Sequence, residues 1–354
     1  MNRQHHLISP PHLSNFRAAL AAWSGMIATG TSLLVANPPD SSWSESSEQK
    51  IDTGQYKHPL RLTELANGDL YLTRYGGNSQ YNQDTAAVSR LIKGGKQWSY
   101  PAPIARNPFQ SMNPVVWQSA NRRVWFFFVH FGATWPSAFH VSLEEGAMIR
   151  RRPIPTPEGH YILPIYHETD SNTKKTSPNA PPMFLRYDPQ QKQRTRSNKP
   201  YSRLGNLQPS AIELSPGHHL AFCRRGGGYE PGNDGFVAQT KSHNDGRTRP
   251  QSQGEETPFP NPNAAIERIK LKSRNLLFIF NDRVIDRTPL TAAVSKDQGK
   301  TFRVNLREGP HSFAYPTPIQ TQDDNIHICY TTDKRTTTSR SAMTEAASLI
   351  PSSR

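Results

Sequence analysis

Six polar residues in this sequence stand directly before a proline and a short apolar run, and they are the first candidates for chemistry. They are His58, Asn113, Arg152, Gln208, Asn261 and Tyr315. Proline lacks a backbone N–H, so it belongs at the first residue of a strand or on an edge, and it holds its predecessor extended. The six side chains are therefore expected at the same point of six strands, where they would form a ring. The alternative is that proline only punctuates the strands and the preceding residue is random.

A second candidate is the adjacent pair His167-Glu168. A histidine beside a carboxylate can act as general acid or base near neutral pH. The alternative is a structural pair at a strand end. Other side chains are suited to sugars: hydroxyl groups could be bound by Asn261, Asn263, Asn281 and Asp282, and sugar rings by Trp117, Trp125 and Trp135. Turn capping is the alternative for the first set, and core packing is favoured for the tryptophans.

The elements that must position these residues follow a repeat. A Gly, Asn or Asp turn precedes a short apolar strand six times, starting at residues 67, 121, 158, 216, 274 and 324. A four-stranded propeller blade takes about 40–50 residues. With 31 Pro, 22 Gly and 34% hydrophobic residues, the 354-residue chain suits short strands and tight turns better than helices. The sequence thus predicts an all-β protein, a six-bladed β-propeller.

Two parts of the repeat are irregular. The interval between the second and third turns is 37 residues, which leaves little room for outer strands, so blade two is expected to be trimmed. The tail 336–354 is polar and is expected to hold no strand, which leaves Ile51 to Tyr56 to close the ring. The predicted domains are an N-terminal signal-like and linker segment at 1–50, a propeller at 51–335 and a polar tail at 336–354.

The N-terminal segment has the order of an export signal. Arg17 precedes a mostly apolar run, Ala18 to Ala36, and a polar stretch follows. An exported protein, periplasmic or extracellular, is the expectation. Nothing later in the chain is apolar enough to span a bilayer, so no stable membrane insertion is expected.

The charge and cysteine content narrow the partners. The net charge of +14 favours anionic partners. Nucleic acid is disfavoured because the basic residues are scattered and such binding needs a concentrated footprint. Cys223 and Cys329 lie in apolar runs and are expected to be buried, with a disulfide as the less favoured alternative. No Cys/His spacing is typical of a zinc site, and no metal or cofactor is expected.

One motif identifies a family. The segment 295–302, Ser-Lys-Asp-Gln-Gly-Lys-Thr-Phe, is an Asp-box, whose Ser, Asp and Thr side chains tie a hairpin together. A degenerate copy stands at Ser242 to Arg249. With the six-fold repeat, His58 to Thr332 resembles the sialidase superfamily, in particular its BNR-repeat branch, often labelled exo-alpha-sialidase. Asp-boxes lie on the outer edges of blades and identify the fold, not the reaction.

The resemblance implies roles for several residues. Sialidases use a Tyr nucleophile, which falls on Tyr315, with an Asp acid/base, which falls on Asp84. Three Arg clamp the substrate carboxylate, since bidentate Arg–carboxylate pairing is specific. Arg287 matches the third clamp position, and Arg224 or Arg225 matches the second. Two positions depart from the family: His58 replaces the first clamp Arg, and Gln208 replaces the Glu that activates the Tyr.

These observations predict an exported, monomeric, glycan-active protein. The leading hypothesis is an exo-glycosidase that hydrolyses a terminal acidic sugar on a glycan or glycoconjugate. The alternative is a non-catalytic glycan-binding propeller, which Gln208 and the short second blade favour. A third possibility, motivated by the short blade and the tail, is a degraded chain that folds poorly.

Overall fold

The computed structural model describes residues 33–35, 47–52, 56–77, 85–106, 111–130, 147–167, 181–227, 235–249 and 255–342. All regular structure in these residues is β, in 24 strands. The strands of the first half are β1 (Leu33–Val35), β2 (Ser47–Asp52), β3 (Tyr56–Glu64), β4 (Leu70–Gly77), β5 (Thr85–Leu91), β6 (Ala102–Arg106), β7 (Ser111–Gln118), β8 (Val124–His130), β9 (Ala147–Ile149), β10 (Ile154–Pro155), β11 (Tyr161–His167), β12 (Pro182–Asp188) and β13 (Gln193–Arg196).

The strands of the second half are β14 (Asn206–Ser215), β15 (His218–Arg225), β16 (Phe236–Ser242), β17 (Glu255–Pro260), β18 (Glu267–Lys270), β19 (Leu276–Asn281), β20 (Leu290–Ser295), β21 (Thr301–Glu308), β22 (Phe313–Gln320), β23 (Ile326–Thr332) and β24 (Thr336–Ala342). No helix among the described residues is long and apolar enough to cross a membrane.

The strands form sheets that follow one another along the chain. Five sheets hold four or five strands each, and β7 pairs with β8 alone in a sixth. The first strands of successive sheets contact one another, β3 with β7, β14 with β18, β18 with β22, and β22 back to β3. This closed order of sheets is a β-propeller arrangement, with five complete blades in the described residues.

The hairpin turns explain the regular spacing. Each predicted turn joins the first two strands of a sheet, and five share the same backbone bonds, as where Leu65 N–H donates to Asp69 O at 2.9 Å. Such turns need one residue with positive φ, a position where Gly or Asn is least strained. Gly68 (φ 86°) and Gly159 (φ 83°) take it in two turns, and Arg274 (φ 75°) takes it in another.

The chain ends close the last blade. β2 pairs antiparallel with β24 in the sheet of β22 and β23, with Ser47 opposite Ser341 and Asp52 opposite Thr337. The expectation of a strandless tail after residue 335 was therefore wrong, and the closing strand lies at 47–52 instead of 51–56. The residues of β24 are mostly threonine and serine, and such a polar sequence suits an outer strand, where one face meets solvent.

Buried side chains join neighbouring sheets. In one cluster Phe222, Phe259, Phe278 and Phe302 pack between the sheets of β15 and β19. Cys223 and Cys329 are both buried, as the apolar runs predicted, and they form no disulfide with each other. Burial raises the pKa of the Cys223 thiol to about 12. The core therefore lies between the blades, which leaves the inner strands free to present polar groups to one another.

The Ser295–Phe302 hairpin is held as its motif predicts. Ser295 Oγ accepts from Gly299 N–H at 2.8 Å, and Asp297 Oδ1 accepts from Thr301 N–H at 2.8 Å. In the second copy Asn244 Oδ1 accepts from Thr248 N–H at 2.9 Å, so Asn244 takes the place of the aspartate. Both hairpins thus use the same bonds, one around a carboxylate and one around an amide.

Candidate functional site

Four residues with left-handed backbone lie at the start of the inner strands. They are Asn113 (φ 50°), Gln208 (φ 46°), Asn263 (φ 54°) and Tyr315 (φ 54°). Three precede a proline, and strand pairing skips these residues, as between Leu207 and Ser210. A bulge re-aims the side chain that it carries. Non-glycine residues in this region cost about 1–3 kcal/mol each and cluster at functional sites.

Three of the four side chains, those of Asn113, Gln208 and Asn263, belong to one hydrogen-bonded network. Together with Tyr315, which adjoins it, we call this group the Tyr315 network. Tyr166 OH accepts from Asn113 Nδ2 at 3.2 Å and from Gln208 Nε2 at 3.3 Å. Arg224 donates to Gln208 Oε1 at 3.3 Å and to Asn263 Oδ1 at 2.7 Å. The network therefore crosses from β7 through β11 and β14 to the loop before β18.

Tyr315 completes the network between two guanidinium groups. The Arg287 Cζ lies 5.9 Å from the Tyr315 ring centroid, and Arg287 donates to Asn263 O at 3.3 Å. The Arg150 Cζ lies 5.3 Å from the same ring, and Arg150 Nη2 donates to Pro316 O at 3.0 Å. Tyr315 and Arg287 are half-buried, whereas Asn113, Gln208 and Arg224 are buried. The accessible part of the network is thus a phenol flanked by cations.

A second group of charges lies further along the same inner strands. Glu267 of β18 pairs with Arg61 of β3 at 2.8 Å and lies 3.8 Å from Arg150 Nη1. Arg151 pairs with its other oxygen, and Ser210 Oγ donates to that oxygen at 2.9 Å. We call these five residues the Glu267 cluster. Arg150 belongs to the cluster and also contacts Tyr315.

The Glu267 cluster is fully ionic. Burial alone would raise the pKa of Glu267, but Arg151, Arg61 and Arg150 and the Ser210 hydroxyl lower it to about 2. Burial lowers the pKa of Arg151 to about 10. Glu267 therefore stays ionised throughout the physiological range and is a poor proton acceptor.

Several predicted site residues make structural contacts instead of joining the network. Asn261 caps a turn, because its side chain bonds both the N–H and the C=O of Ala264. Arg225 donates to the backbone carbonyls of Gly226 and Val284. Asn281 Nδ2 donates to Phe313 O at 3.4 Å, and the backbone N–H of Asp282 donates to Pro289 O.

The remaining predicted residues fall in different places. Arg152 lies beside Arg61 and Arg151, and burial with these like charges lowers its pKa to about 10. His167 is buried on β11, and alternation along a strand places it on the opposite face from Tyr166. His58 of β3 lies opposite Tyr75 of β4 in the antiparallel sheet. Asp84 and Glu168 lie outside the described residues.

The part that Tyr166, Arg150 and the Glu267 cluster play in the site was not predicted from the sequence. Two signals were available. Three consecutive arginines, 150–152, stand before an apolar strand, and Glu267-Arg268 interrupts the apolar run from Ala264 to Ile269. Charges inside apolar runs are almost never buried unless they are paired, so each run pointed to a partner elsewhere in the chain.

A cavity of about 690 Å³ lies between β7–β8 and the sheet of β11. Its aromatic lining includes Trp117, Trp125, Tyr161 and Tyr187, with Asn121 and Arg194 among its polar groups. Trp125 and Tyr187 are exposed, and Trp117 meets Tyr161 edge to face at 5.3 Å. Core packing was the favoured prediction for the tryptophans, but Trp117 and Trp125 line this cavity and Trp125 is exposed. Trp135 lies outside the described residues.

One cluster among the described residues has the spacing of metal ligands, Glu158, His160 and Asp245. The guanidinium of Arg186 already donates to Glu158 at 3.0 Å and to Asp245 at 2.8 Å, and it contacts His160. A cation therefore occupies the position that a metal would take, and the group is an ion-pair network.

Solved structures share the fold at low sequence identity. A Dyadobacter fermentans protein of unknown function aligns at a TM-score of 0.64 and 13% identity, over 83% of this chain and 98% of that one. Trypanosoma rangeli sialidase with the inhibitor DANA aligns at 0.60 and 11%, over 84% and 59%. The Hadza microbial sialidase Hz136 aligns at 0.59 and 15%, over 82% and 66%. The fold is that of a sialidase-like β-propeller.

The family follows from the sequence match. A family model described as a BNR repeat-like domain matches residues 131–328, more than half of the chain, so the chain belongs to this family. No functionally curated protein matches the sequence.

Further solved propellers of this shape include a Penicillium chrysogenum α-L-arabinanase (TM-score 0.53, 10% identity, 84% and 98% covered) and an Aleuria aurantia lectin (0.51, 8%, 83% and 94%). The resemblance to the sialidase superfamily is thus confirmed for the fold, which serves both hydrolysis and sugar binding in these proteins.

Proposed function

We propose that this chain is a glycan-active propeller that binds a terminal acidic sugar at Tyr315 and hydrolyses its glycosidic bond. The observation that carries the proposal is the half-buried Tyr315 ring between the guanidinium groups of Arg150 and Arg287. Arg224 is joined to the same network through Gln208 and Asn263. Solved sialidases of this fold hold sialic acid or the inhibitor DANA.

In this proposal Arg150 supplies the third guanidinium group, which the sequence lacks at position 58. By resemblance, His58 stands where the family has its first clamp arginine, which left Arg224 and Arg287 as a pair. Arg150, which directly follows β9, lies 5.3 Å from the Tyr315 ring centroid and adds a third guanidinium group. Three guanidinium groups together can hold a carboxylate through charge-assisted bonds.

The proposed reaction follows the sialidase pattern. The Tyr315 oxygen forms a bond to the anomeric carbon as the bond to the leaving oxygen breaks, and Asp84 protonates that oxygen. Water then cleaves the glycosyl–tyrosine bond. The phenolic proton needs an acceptor: Gln208 is an amide, and the low pKa of Glu267 excludes it. His167 faces away from Tyr166 across β11, so we assign this proton to solvent water at the half-buried phenol.

A binding protein without catalysis is the second candidate. Gln208 favours it, because both ends of its amide are engaged, with Arg224 and with Tyr166. A carboxylate at this position would be the expected general base, and its replacement by an amide leaves recognition intact while weakening proton transfer.

The architecture and setting complete the proposal. We infer that β7 and β8 are the inner strands of a sixth blade, because β7 lies against β3 and carries Asn113 of the network. We also propose that the Asp-box hairpins stabilise blade edges, and that the protein is exported and monomeric and acts on glycans or glycoconjugates.

The experiment is a hydrolysis assay on fluorogenic sialosides and a panel of acidic glycosides, with wild type, Tyr315→Phe and Asp84→Asn. The proposal expects turnover by wild type on at least one acidic glycoside and a loss of about 100-fold or more in both variants. Turnover unchanged in both variants would sink the site assignment. Binding without turnover would leave the second candidate.

Arginines 224 and 225 give a matched control for recognition. Arg224 reaches side chains of the network, whereas Arg225 holds backbone carbonyls. Arg224→Met is expected to weaken binding of the acidic sugar by at least tenfold with a small loss of stability. Arg225→Met is expected to lower stability and to leave the affinity of the folded protein within about twofold, measured by calorimetry.

A further inference from the structure

The Glu267 cluster carries more positive charge than its one carboxylate can balance. Arg61, Arg150 and Arg151 all lie within 4 Å of Glu267, so three positive charges face one negative charge. All four side chains are buried, with exposed fractions of 1–7%. Arg152 and Arg268 add further positive charge nearby, since both interact electrostatically with Arg151.

The same arginines present nitrogen atoms that lack hydrogen-bond partners. Among the described residues, Arg61 has none at Nε and Nη2, Arg150 none at Nε and Nη1, and Arg151 none at Nε. A buried N–H of a charged group costs at least about 1–3 kcal/mol when it is left unsatisfied. Five such atoms in one cluster are unusual, because buried polar groups in proteins are nearly always hydrogen-bonded.

The guanidinium groups that carry these atoms converge on Glu267. Arg61 Nη1 and Arg150 Nη1 both approach the same oxygen of Glu267, at 2.8 and 3.8 Å. Water could satisfy the N–H groups, but it would leave the excess charge in place. A small anion would do both, because guanidinium groups bind anions through charge-assisted bonds.

We propose that the Arg61–Arg150–Arg151 face of this cluster binds one small inorganic anion inside the propeller, of the chloride, sulfate or phosphate class. The site does not rest on the proposed glycosidase activity. It has a consequence for that activity, since Arg150 also contacts the Tyr315 ring. Filling the site neutralises part of the charge on Arg150, so inorganic anions are expected to weaken binding of the acidic sugar.

The test begins with the wild-type protein, freed of small anions in a buffer whose only anion is a bulky organic sulfonate. Chloride, sulfate or phosphate is added at constant ionic strength, and the thermal midpoint is followed. A saturable rise of several degrees is expected for at least one of the three ions, unchanged when sodium is replaced by potassium. Equilibrium dialysis with radiolabelled chloride, sulfate and phosphate is expected to give one ion per chain.

Variants locate the ion. Arg61→Met and Arg151→Met are expected to lower its affinity by at least tenfold, and Arg61→Lys by less. The matched control is Arg249→Met, because Arg249 is also buried but stacks on Phe184 at 3.7 Å and bonds Thr240 O, outside the cluster. That control is expected to lose stability and to keep the bound ion.

Two results would overturn the proposal. One is dialysis of the wild type with no bound ion of any of the three kinds, which needs no variant to fold. The other is equal anion affinity in Arg61→Lys, Arg249→Met and wild type. Sugar affinity is measured separately, so failure of the anion site leaves the proposed function standing, and the reverse also holds.

Discussion

The Tyr315 network and the Glu267 cluster place the same residue type in opposite settings. In the network, arginines bond neutral amides and flank a phenol, as Arg224 does with Gln208 and Asn263. In the cluster, arginines surround one ionised carboxylate. The first set reaches half-buried residues, whereas the second is fully buried.

The difference in arginine partners distinguishes residues suited to ligand recognition from residues that stabilise the fold. An amide partner carries no counter-charge, so an arginine bonded to amides can still attract an anionic ligand. An arginine bound to a buried carboxylate is committed to the fold, since separating the pair leaves an uncompensated charge. Arg150 contacts both groups and therefore couples the stability of the Glu267 cluster to ligand binding at the Tyr315 network.

The largest predicted effect comes from removing the carboxylate of the cluster. Glu267→Gln leaves Arg61, Arg150 and Arg151 without their counter-charge and is expected to cost about 3–5 kcal/mol. Denaturant unfolding measures it. Glu158→Gln is the control, because Glu158 pairs with Arg186 at an exposed position, and it is expected to cost about 1 kcal/mol or less. Similar losses in the two variants would show that the cluster is not the ionic centre described.

The acid dependence of stability gives a second effect of about 3 kcal/mol. The pKa of Glu267 falls from an ordinary value of 4.5 to about 2 in the folded protein. A lowered folded pKa contributes stability that is present above the unfolded value and is lost as pH falls through the folded value. The stability difference between wild type and Glu267→Gln should therefore be constant from pH 8 to 5 and shrink between pH 4.5 and 2. A difference that stays constant down to pH 2 would contradict the ionic assignment.

Gln208→Glu tests the contrast from the other side, by placing a carboxylate in the network. The new carboxylate meets Arg224 and Tyr166, where Gln208 now bonds both. Stability is expected to change by about 1 kcal/mol or less, because the position already has a cationic partner. Hydrolysis of the best acidic glycoside is expected to rise roughly 100-fold, since a general base contributes about 10²–10⁴. Unchanged turnover with retained sugar binding would favour the binding protein; Gln208→Met is the control that removes the amide without adding a base.

The sequence predicted the turns and strand starts of the molecule better than the contacts between its blades. All six turns fall where Gly, Asn or Asp precedes an apolar run. Gly or Asp takes the positive-φ position in four of them, and Arg122 and Arg274 take it in the other two. The X-Pro steps located Asn113, Gln208 and Tyr315, since a proline cannot pair in a sheet. Asn263 in place of Asn261, and Arg150 as a neighbour of Tyr315, depend on how separate blades meet. Glu267 bonds Arg61, which is 206 residues away in the sequence, and no local sequence pattern predicts such a contact.

The smallest effect concerns the two hairpins, where neutral donors hold the Asp297 carboxylate in one and the Asn244 amide in the other. Burial raises the pKa of Asp297, but bonds from Thr301 and Ser295 outweigh it and leave that pKa below its ordinary value. Asp297→Asn is expected to cost about 1 kcal/mol, and Asn244→Asp to gain a few tenths, because hydrogen bonds to a charged acceptor are stronger. Thermal unfolding at pH 7 and pH 3 measures both, and the differences should narrow at pH 3 as the aspartates protonate. The contrary outcome is an effect as large as that of Glu267→Gln. A carboxylate held by hydroxyl and amide donors would then stabilise the fold as strongly as one held by arginines, and the contrast between network and cluster would fail.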